Sequence, residues 1–298
     1  MFWFETSNIF FRQITRCHFE FFRVYQSSSS IAEKSYILTQ GPVPETIGHF
    51  WTMIWQQEVS AIVMLCRLTE SGTPKCASYW PQTEEDDDLI HVPSAGLEVR
   101  LRDCDDADED YLVSNLEVRD CRSDTIRVIP HYHYMTWPDF GVPESTSTFL
   151  RFLQLVNARH PSNHANPILV HCSAGIGRSG TFILVDSCLD RMKESKKPMN
   201  LQQITDVLLT MRGMRGGLIQ TPEQLKFSLQ VNQSCQVCHV DLLKKCYFLQ
   251  AIQDIIDDLG IEESSNGILN RKRSTDLSES NESSVEAKSP PKRPKANC

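Results

Sequence analysis

One stretch constrains this chain more than any other: Pro167-Ile-Leu-Val-His-Cys-Ser-Ala-Gly-Ile-Gly-Arg-Ser-Gly-Thr-Phe182. An apolar run, Ile168–Val170, stops at His171-Cys172, and the small-residue loop Ser173-Ala-Gly-Ile-Gly177 leads to Arg178. Ser179–Arg191 then places Phe182, Val185 and Leu189 at helical spacing. The pattern reads as a buried strand, a tight loop and the start of a helix. Such a turn aims successive backbone N–H groups and the helix N-terminus at one point, which makes an anion cradle. A cysteine at the head of the cradle is exposed to positive potential, which favours thiolate over thiol. Arg178 closes the loop with a planar fork that matches two phosphate oxygens. The same donors are suited to the equatorial oxygens during phosphoryl transfer, where positioning and electrostatics carry most of the catalysis. Phosphate-ester chemistry, not a buried structural cysteine, is the reading this spacing supports.

Composition fits that reading and removes others. The chain of 298 residues is 40% hydrophobic and 23% charged, as in ordinary globular proteins. Its formal charge of −8 argues against nucleic-acid binding through overall basicity. No uncharged apolar run approaches the roughly 18 residues of a membrane helix. Glu5, Arg12, Arg16, Glu20 and Arg23 break any signal-peptide core. The cysteines, 11 in number, are odd and irregularly spaced, so free thiols in a reducing compartment are expected.

Along the chain, Met1–Lys34 is an atypical aromatic-rich leader holding Ser27–Ser30. From Ser35 the pattern is mixed α/β. Thr46–Gln57 carries Ile47, Phe50, Trp51 and Ile54 at helical spacing, and Ala61–Leu68 reads as a buried strand. Alternation at Leu97, Val99 and Leu101, and again at Ile126 and Val128, predicts strands of a partly antiparallel sheet. Helices are expected after Pro143 and after Asn200, the latter a natural N-cap. Glu84–Asp88 and Asp103–Asp110 read as solvated loops. Residues 260–298 are serine-rich and poor in apolar residues, the composition of a disordered tail.

Several motifs agree on one resemblance. Tyr36-Ile-Leu-Thr-Gln-Gly-Pro42, Gly48-His-Phe-Trp51, Lys75-Cys-Ala-Ser-Tyr-Trp-Pro81, Trp137-Pro-Asp-Phe-Gly-Val-Pro143, the cysteine loop and Gly217-Leu-Ile-Gln-Thr221 occur in the order found in tyrosine-specific non-receptor protein phosphatases. The chain resembles that family, and within it the subfamily of the endoplasmic-reticulum-anchored and T-cell enzymes. The resemblance implies an α/β (α+β) fold, a highly twisted mixed β-sheet flanked by helices, with a catalytic domain over 35–259. It implies no metal and no cofactor.

Carried over residue by residue, the resemblance makes Cys172 the nucleophile that forms a phosphocysteine. Asp139, on a mobile loop, is the general acid and then the base. Gln220 orients water, and Ser179 stabilises the departing thiolate. Ser173, Ala174, Gly175, Ile176, Gly177 and Arg178 cradle the phosphate. Glu70 holds the arginine, Lys75 lies near the acid loop beside Trp137, and His171 orients the cysteine. Lys75–Pro81 is expected as a strand pair behind the site. Substrates implied are phosphotyrosine proteins such as receptor or cytoplasmic tyrosine kinases and their targets. A non-enzymatic or poorly folded phosphotyrosine-binding isoform and a dual-specificity or lipid phosphatase are the alternatives.

The sequence departs from the family at both ends. The family's N-terminal helices, its Asn-Arg-Tyr loop and its Asp-Tyr-Ile-Asn-Ala strand have no counterpart read in Met1–Lys34, which implies a shallower pocket. Near residues 231–248 an insertion is expected, where Cys235-Gln-Val-Cys238-His239 has haem-attachment spacing and Cys246 adds a fourth potential metal ligand; unremarkable thiols, not haem or zinc, are the reading. Arg271-Lys-Arg273 and Lys292-Arg-Pro-Lys295 resemble nuclear-import clusters, which points to cytoplasm or nucleus, and Pro291-Lys-Arg-Pro294 fits a minimal SH3-type ligand.

Overall fold

The computed structural model describes residues 20–23, 34–85, 88–105, 108–160 and 166–234. Its centre is an eight-stranded mixed sheet. In chain order the strands of the described residues are β1 (Glu20–Arg23), β2 (Ser35–Gln40), β3 (Ala61–Met64), β4 (Thr69–Glu70), β5 (Thr73–Pro74), β6 (Leu89–Val92), β7 (Leu97–Asp105), β8 (Tyr111–Asp120), β9 (Thr125–Tyr134) and β10 (Ile168–Cys172). The sheet runs β1-β2-β10-β3-β9-β8-β7-β6, and β4-β5 is a separate two-stranded hairpin.

The four central strands, β2, β10, β3 and β9, are parallel, whereas the outer pairs are antiparallel. Composition explains the split. Ile168–Cys172 and Ala61–Met64 are buried at every position, as strands covered on both faces require. The antiparallel β7 instead alternates buried Leu97, Val99 and Leu101 with less buried Glu98 and Arg100. Pro130 sits inside β9, yet at a position where only β8 is paired, so its missing N–H breaks no ladder on the β3 side.

Among the described residues, five α-helices flank the sheet: α1 (Ile47–Gln56), α2 (Thr146–Arg159), α3 (Gly177–Ser195), α4 (Leu201–Met214) and α5 (Pro222–Ser234). Ser145 caps α2 by accepting from the Thr148 N–H. Asn200 and Gln203 exchange hydrogen bonds, each 2.9 Å, in a capping box on α4. Helix α3 is central. It packs on β10, α4 and α5 and is buried on nearly every face, so it carries Phe182, Ile183, Leu184, Val185 and Cys188 instead of a single apolar stripe. Its buried Asp186 takes Asn157 Nδ2 at 2.6 Å, Lys34 Nζ at 2.6 Å and the Tyr36 hydroxyl, which ties the start of β2 to α3 with every carboxylate oxygen occupied.

The structure revises several local expectations. The apolar run expected as one strand over Ala61–Leu68 ends its ladder at Met64: the Leu65 N–H makes a last bond to the His171 carbonyl of β10 (2.9 Å), but the Leu65 carbonyl leaves the sheet and accepts from Arg178 (3.1 Å). Lys75–Pro81 is not a strand pair; only β4 and β5 pair there. Its backbone bonds to loops instead, Lys75 N–H to Leu68 and Ala77 N–H to Pro42, while the Tyr79 carbonyl accepts from the Trp51 indole at 2.7 Å. Asp103–Asp105, expected in a loop, closes β7 opposite β8. Ile126 and Val128 do lie on a strand, and both face outward at 51% and 41% exposure. Helix α5 continues through Ser234 with Val231 and Asn232 buried, so residues 231–234 form its last turn. The leader's serine run, Cys235–His239, Cys246, both basic clusters and Pro291–Pro294 lie outside the described residues. Among the described residues no helix is long and apolar enough to cross a membrane.

Candidate active site

The carboxyl ends of the parallel strands converge on one cleft, the place where sheets of this kind hold ligands. Cys172 ends β10 and is 4% exposed. Its Sγ accepts from the Gly175 N–H at 3.2 Å. Gly175 has φ +71°, and a Cβ on it would lie 2.1 Å from the Thr39 carbonyl oxygen of β2, so only glycine lets the loop fold back under the sulfur. The loop is pinned beyond that point by the Ile176 carbonyl, which accepts from Gly180 and Ile219 N–H groups at 3.1 Å each.

Arg178 is held on four sides. Nη1 and Nη2 donate to the two oxygens of Glu70 at 2.5 and 2.8 Å, and to the carbonyls of Leu65 (3.1 Å) and Pro138 (3.3 Å). Its guanidinium lies 5.7 Å from the ring centre of Trp137. Burial opposes the charge on Arg178, yet the hydrogen bonds and charge of Glu70 outweigh it, and the guanidinium is held more firmly protonated than in water. Trp137 is itself buried between Tyr134 and Phe149 and donates its indole N–H to the Gly141 carbonyl at 3.2 Å, closing the loop that carries Asp139.

Behind the cysteine runs a hydrogen-bond chain. His171 Nδ1 contacts the Cys172 carbonyl (3.2 Å), His171 Nε2 contacts the Tyr79 hydroxyl (2.7 Å), and that hydroxyl contacts His131 Nε2 (2.7 Å). Burial pushes His171 down to about 4 and His131 well below its ordinary value, and it pushes Tyr79 up, so all three are neutral near pH 7. The proton positions follow. A carbonyl only accepts, so His171 carries its proton on Nδ1 and accepts at Nε2 from the Tyr79 O–H. Tyr79 then receives a bond from the Nε2–H of His131. Each polar group in this buried chain is satisfied, which fixes the peptide carrying Cys172.

Asp139 lies in the same cleft, a space of about 700 Å³ that Glu70, Lys75, Phe140, Cys172, Arg178 and Gln220 also line. Its Oδ1 accepts from Arg67 Nη2 at 2.6 Å and its Oδ2 from the Ser71 hydroxyl. The Ser71 hydrogen bond and then the Arg67 charge hold this carboxyl below its usual range. Gln220 is exposed at the rim, its backbone N–H donating to Gln224 Oε1 at 2.9 Å. A Cβ on Gly177 would fall 2.7 Å from Gln220 Oε1, so the glycine keeps room for that amide. Ser179 is fully buried in the first turn of α3, and among the described residues its Oγ has no hydrogen-bond partner.

Of the residues expected at the site from sequence, Cys172, Ser173, Ala174, Arg178, Asp139, Gln220, Glu70 and Lys75 line this cleft; Trp137 packs beside Arg178, His171 lies behind Cys172, Gly175, Ile176 and Gly177 form the loop beneath, and Ser179 is buried in α3. Sequence reading left out Tyr79, His131, Arg67, Ser71 and Gln224. Tyr79 lay inside a motif read from sequence and His131 beside one, but nothing in one dimension shows that their rings meet. Two further thiols are close by. A Cβ on Gly41 would sit 2.8 Å from the Cys172 carbonyl and 3.0 Å from Cys76 Sγ, and burial pushes Cys76 up to about 12 and Cys66 higher still.

A thiol at the head of an N–H cradle, with a carboxylate-anchored arginine at its end, defines a site shaped for a tetrahedral oxyanion. The chain belongs to the protein-tyrosine phosphatase family, whose model matches residues 18–234 and so reaches back into the aromatic leader. It is similar to the human tyrosine-protein phosphatase non-receptor type 2, 50% identical over 198 residues, which are 66% of this chain and 46% of the relative. The Drosophila melanogaster tyrosine-protein phosphatase non-receptor type 61F is 42% identical over 203 residues, 67% of this chain and 36% of the relative. The mouse receptor-type tyrosine-protein phosphatase N2 is 37% identical over 195 residues, 65% of this chain and 18% of the relative. The chain thus spans less than half the length of these relatives.

Proposed function

We propose that this chain hydrolyses phosphotyrosine in proteins through a phosphocysteine intermediate. The observation that carries the reading is the placement of Cys172, an Arg178 fixed by Glu70, and Asp139 around one cleft. Cys172 attacks phosphorus as the thiolate; the S–P bond forms as the P–O bond to the tyrosine breaks. Asp139 gives its proton to the departing phenolic oxygen. Water, oriented by Gln220, then forms a new P–O bond as S–P breaks, and its proton passes to Asp139. The Ser179 hydroxyl donates to the thiolate as it leaves. Through both steps Arg178 and the N–H groups of Ser173–Arg178 hold the phosphoryl oxygens, while His171 fixes the peptide of Cys172 and Lys75 and Trp137 border the acid loop.

The substrates of this reading are phosphotyrosine proteins such as tyrosine kinases and their targets. Residues 35–259 form the catalytic unit, 260–298 a tail whose basic clusters direct the chain between cytoplasm and nucleus, and Pro291–Pro294 an SH3-type ligand. Turnover of phosphotyrosine, phosphothreonine and phosphoinositide substrates tests the reaction. Only phosphotyrosine is expected to turn over. Cys172→Ser is expected to abolish it while phosphate affinity remains, and Asp139→Ala to lower kcat far more than substrate affinity. Turnover by Cys172→Ser at the unmodified rate would overturn the assignment.

A further inference from the structure

The pose of Asp139 is at odds with proton donation. Both of its oxygens accept hydrogen bonds from the segment around the β4–β5 hairpin, one from Arg67 and one from the Ser71 hydroxyl. A general acid needs a protonated oxygen free to face the leaving group. Here a guanidinium sits on one oxygen and a hydroxyl donor on the other, and both donors favour the carboxylate over the acid. Ser71 holds a position with φ +46° at the tip of the hairpin, next to Gly72 at φ +74°, a turn that presents its hydroxyl to the acid loop. That loop is only partly anchored: Trp137 is buried, whereas Phe140, next to Asp139, is 84% exposed.

Resting on the role proposed for Asp139, we infer that Ser71 acts with Arg67 as a latch that holds the acid loop of the free enzyme in a pose unable to donate a proton. Substrate binding must break the side-chain hydrogen bonds from Arg67 and Ser71, and the one from the Ser71 backbone N–H, before Asp139 can face the leaving oxygen. The latch is a positioning device; neither residue touches the reacting atoms. The other charged or titratable groups around the acid are Glu70 and Lys75 on the hairpin side, Cys172 and Arg178 from the strand–helix loop, and Glu223 at the start of α5. All remain when Ser71 is changed.

The test is the pH dependence of kcat/KM, which reports groups of the free enzyme, against that of kcat, which reports the substrate complex. Aryl phosphates with a poor leaving group make the acid limiting. Ser71→Ala removes a donor to the carboxylate, so the alkaline limb of kcat/KM is expected to move to higher pH while that of kcat stays in place. Ser71→Glu, which adds a facing carboxylate, is expected to move it further. Ser71→Asn, which tolerates the left-handed backbone and keeps a donor, is expected to leave it near the original position. Should the Ser71 variants fail to fold, as judged by thermal melts, Arg67→Gln carries the same expectation. An unmoved or lowered limb in a folded Ser71→Ala or Arg67→Gln protein, or equal shifts in kcat/KM and kcat, would overturn the latch. Asp139→Asn separates this from the underlying reading. If it removes the alkaline limb while Ser71→Ala does nothing, only the latch falls; if it leaves the limb intact, the role of Asp139 itself falls.

Discussion

Removing the carboxylate under Arg178 is the perturbation with the most calculable outcome. Glu70 is 3% exposed and takes both arms of the guanidinium at 2.5 and 2.8 Å, plus the Arg67 backbone N–H at 3.1 Å. Glu70→Ala leaves a largely buried cation with only two carbonyl acceptors. Breaking one side of a buried pair costs about 3–5 kcal/mol. For a domain of this size each kcal/mol lowers Tm by about 2–4 °C, so the variant should melt roughly 6–20 °C lower. Because Arg178 also loses its fixed orientation, kcat/KM should fall by about 100-fold, the scale of a misplacement near 1 Å. Arg178→Ala should destabilise similarly by stranding Glu70. The double variant strands neither charge, so it should be less destabilised than the sum of the single variants by about 1–3 kcal/mol. Urea titrations of the four proteins measure that difference. Effects that add to within about 0.5 kcal/mol would refute the claim that these two groups hold each other.

Three other outcomes follow from the same geometry. Gly175→Ala forces a Cβ toward the Thr39 carbonyl at a left-handed backbone position, and it should abolish phosphate binding or folding; a soluble, fully active variant seen in a phosphatase assay would contradict the close approach. Cys76 and Cys188, pushed up to about 12, and Cys66, pushed higher, are buried thiols. Limited peroxide, followed by mass-spectrometric mapping, should therefore find Cys172 oxidised before these three, reversibly by added thiol; an earlier hit on any of them would count against the cradle. His133 and His171, each held at about 4 by burial, are neutral when folded, so the unfolded chain binds more protons below its ordinary histidine pKa near 6.5. Their contribution to stability is full above that value and is lost as pH falls toward 4, at up to roughly 1.4 kcal/mol per pH unit per imidazole. Denaturant midpoints that stay flat across this window would contradict the buried neutral assignment.

The chemistry of this protein was written locally. The nucleophile, the cradle glycines and the arginine lie within a few residues, because a strand–loop–helix turn is a local object whose N–H groups converge once the backbone is fixed. The same holds for the Asn200 cap, the alternation in β7 and the apolar runs that became parallel strands. Where backbone bonding crosses the chain, one-dimensional pattern misled. The Lys75–Pro81 motif was expected from the family resemblance as a strand pair, but its N–H and carbonyl groups are taken by Leu68, Pro42 and the Trp51 indole. The run after Met64 stayed apolar, yet the Leu65 carbonyl leaves the sheet to accept from Arg178, while the Leu65 N–H makes a last bond to His171 on β10. Only tertiary structure decided that Tyr79 joins His131 to His171, residues far apart in sequence whose protonation depends on shared burial. It alone placed Ser71 and Arg67 on Asp139. A hydroxyl or guanidinium at a hairpin carries no mark of which carboxylate it will meet, since that is set by how β3, β9 and β10 lie side by side in the sheet.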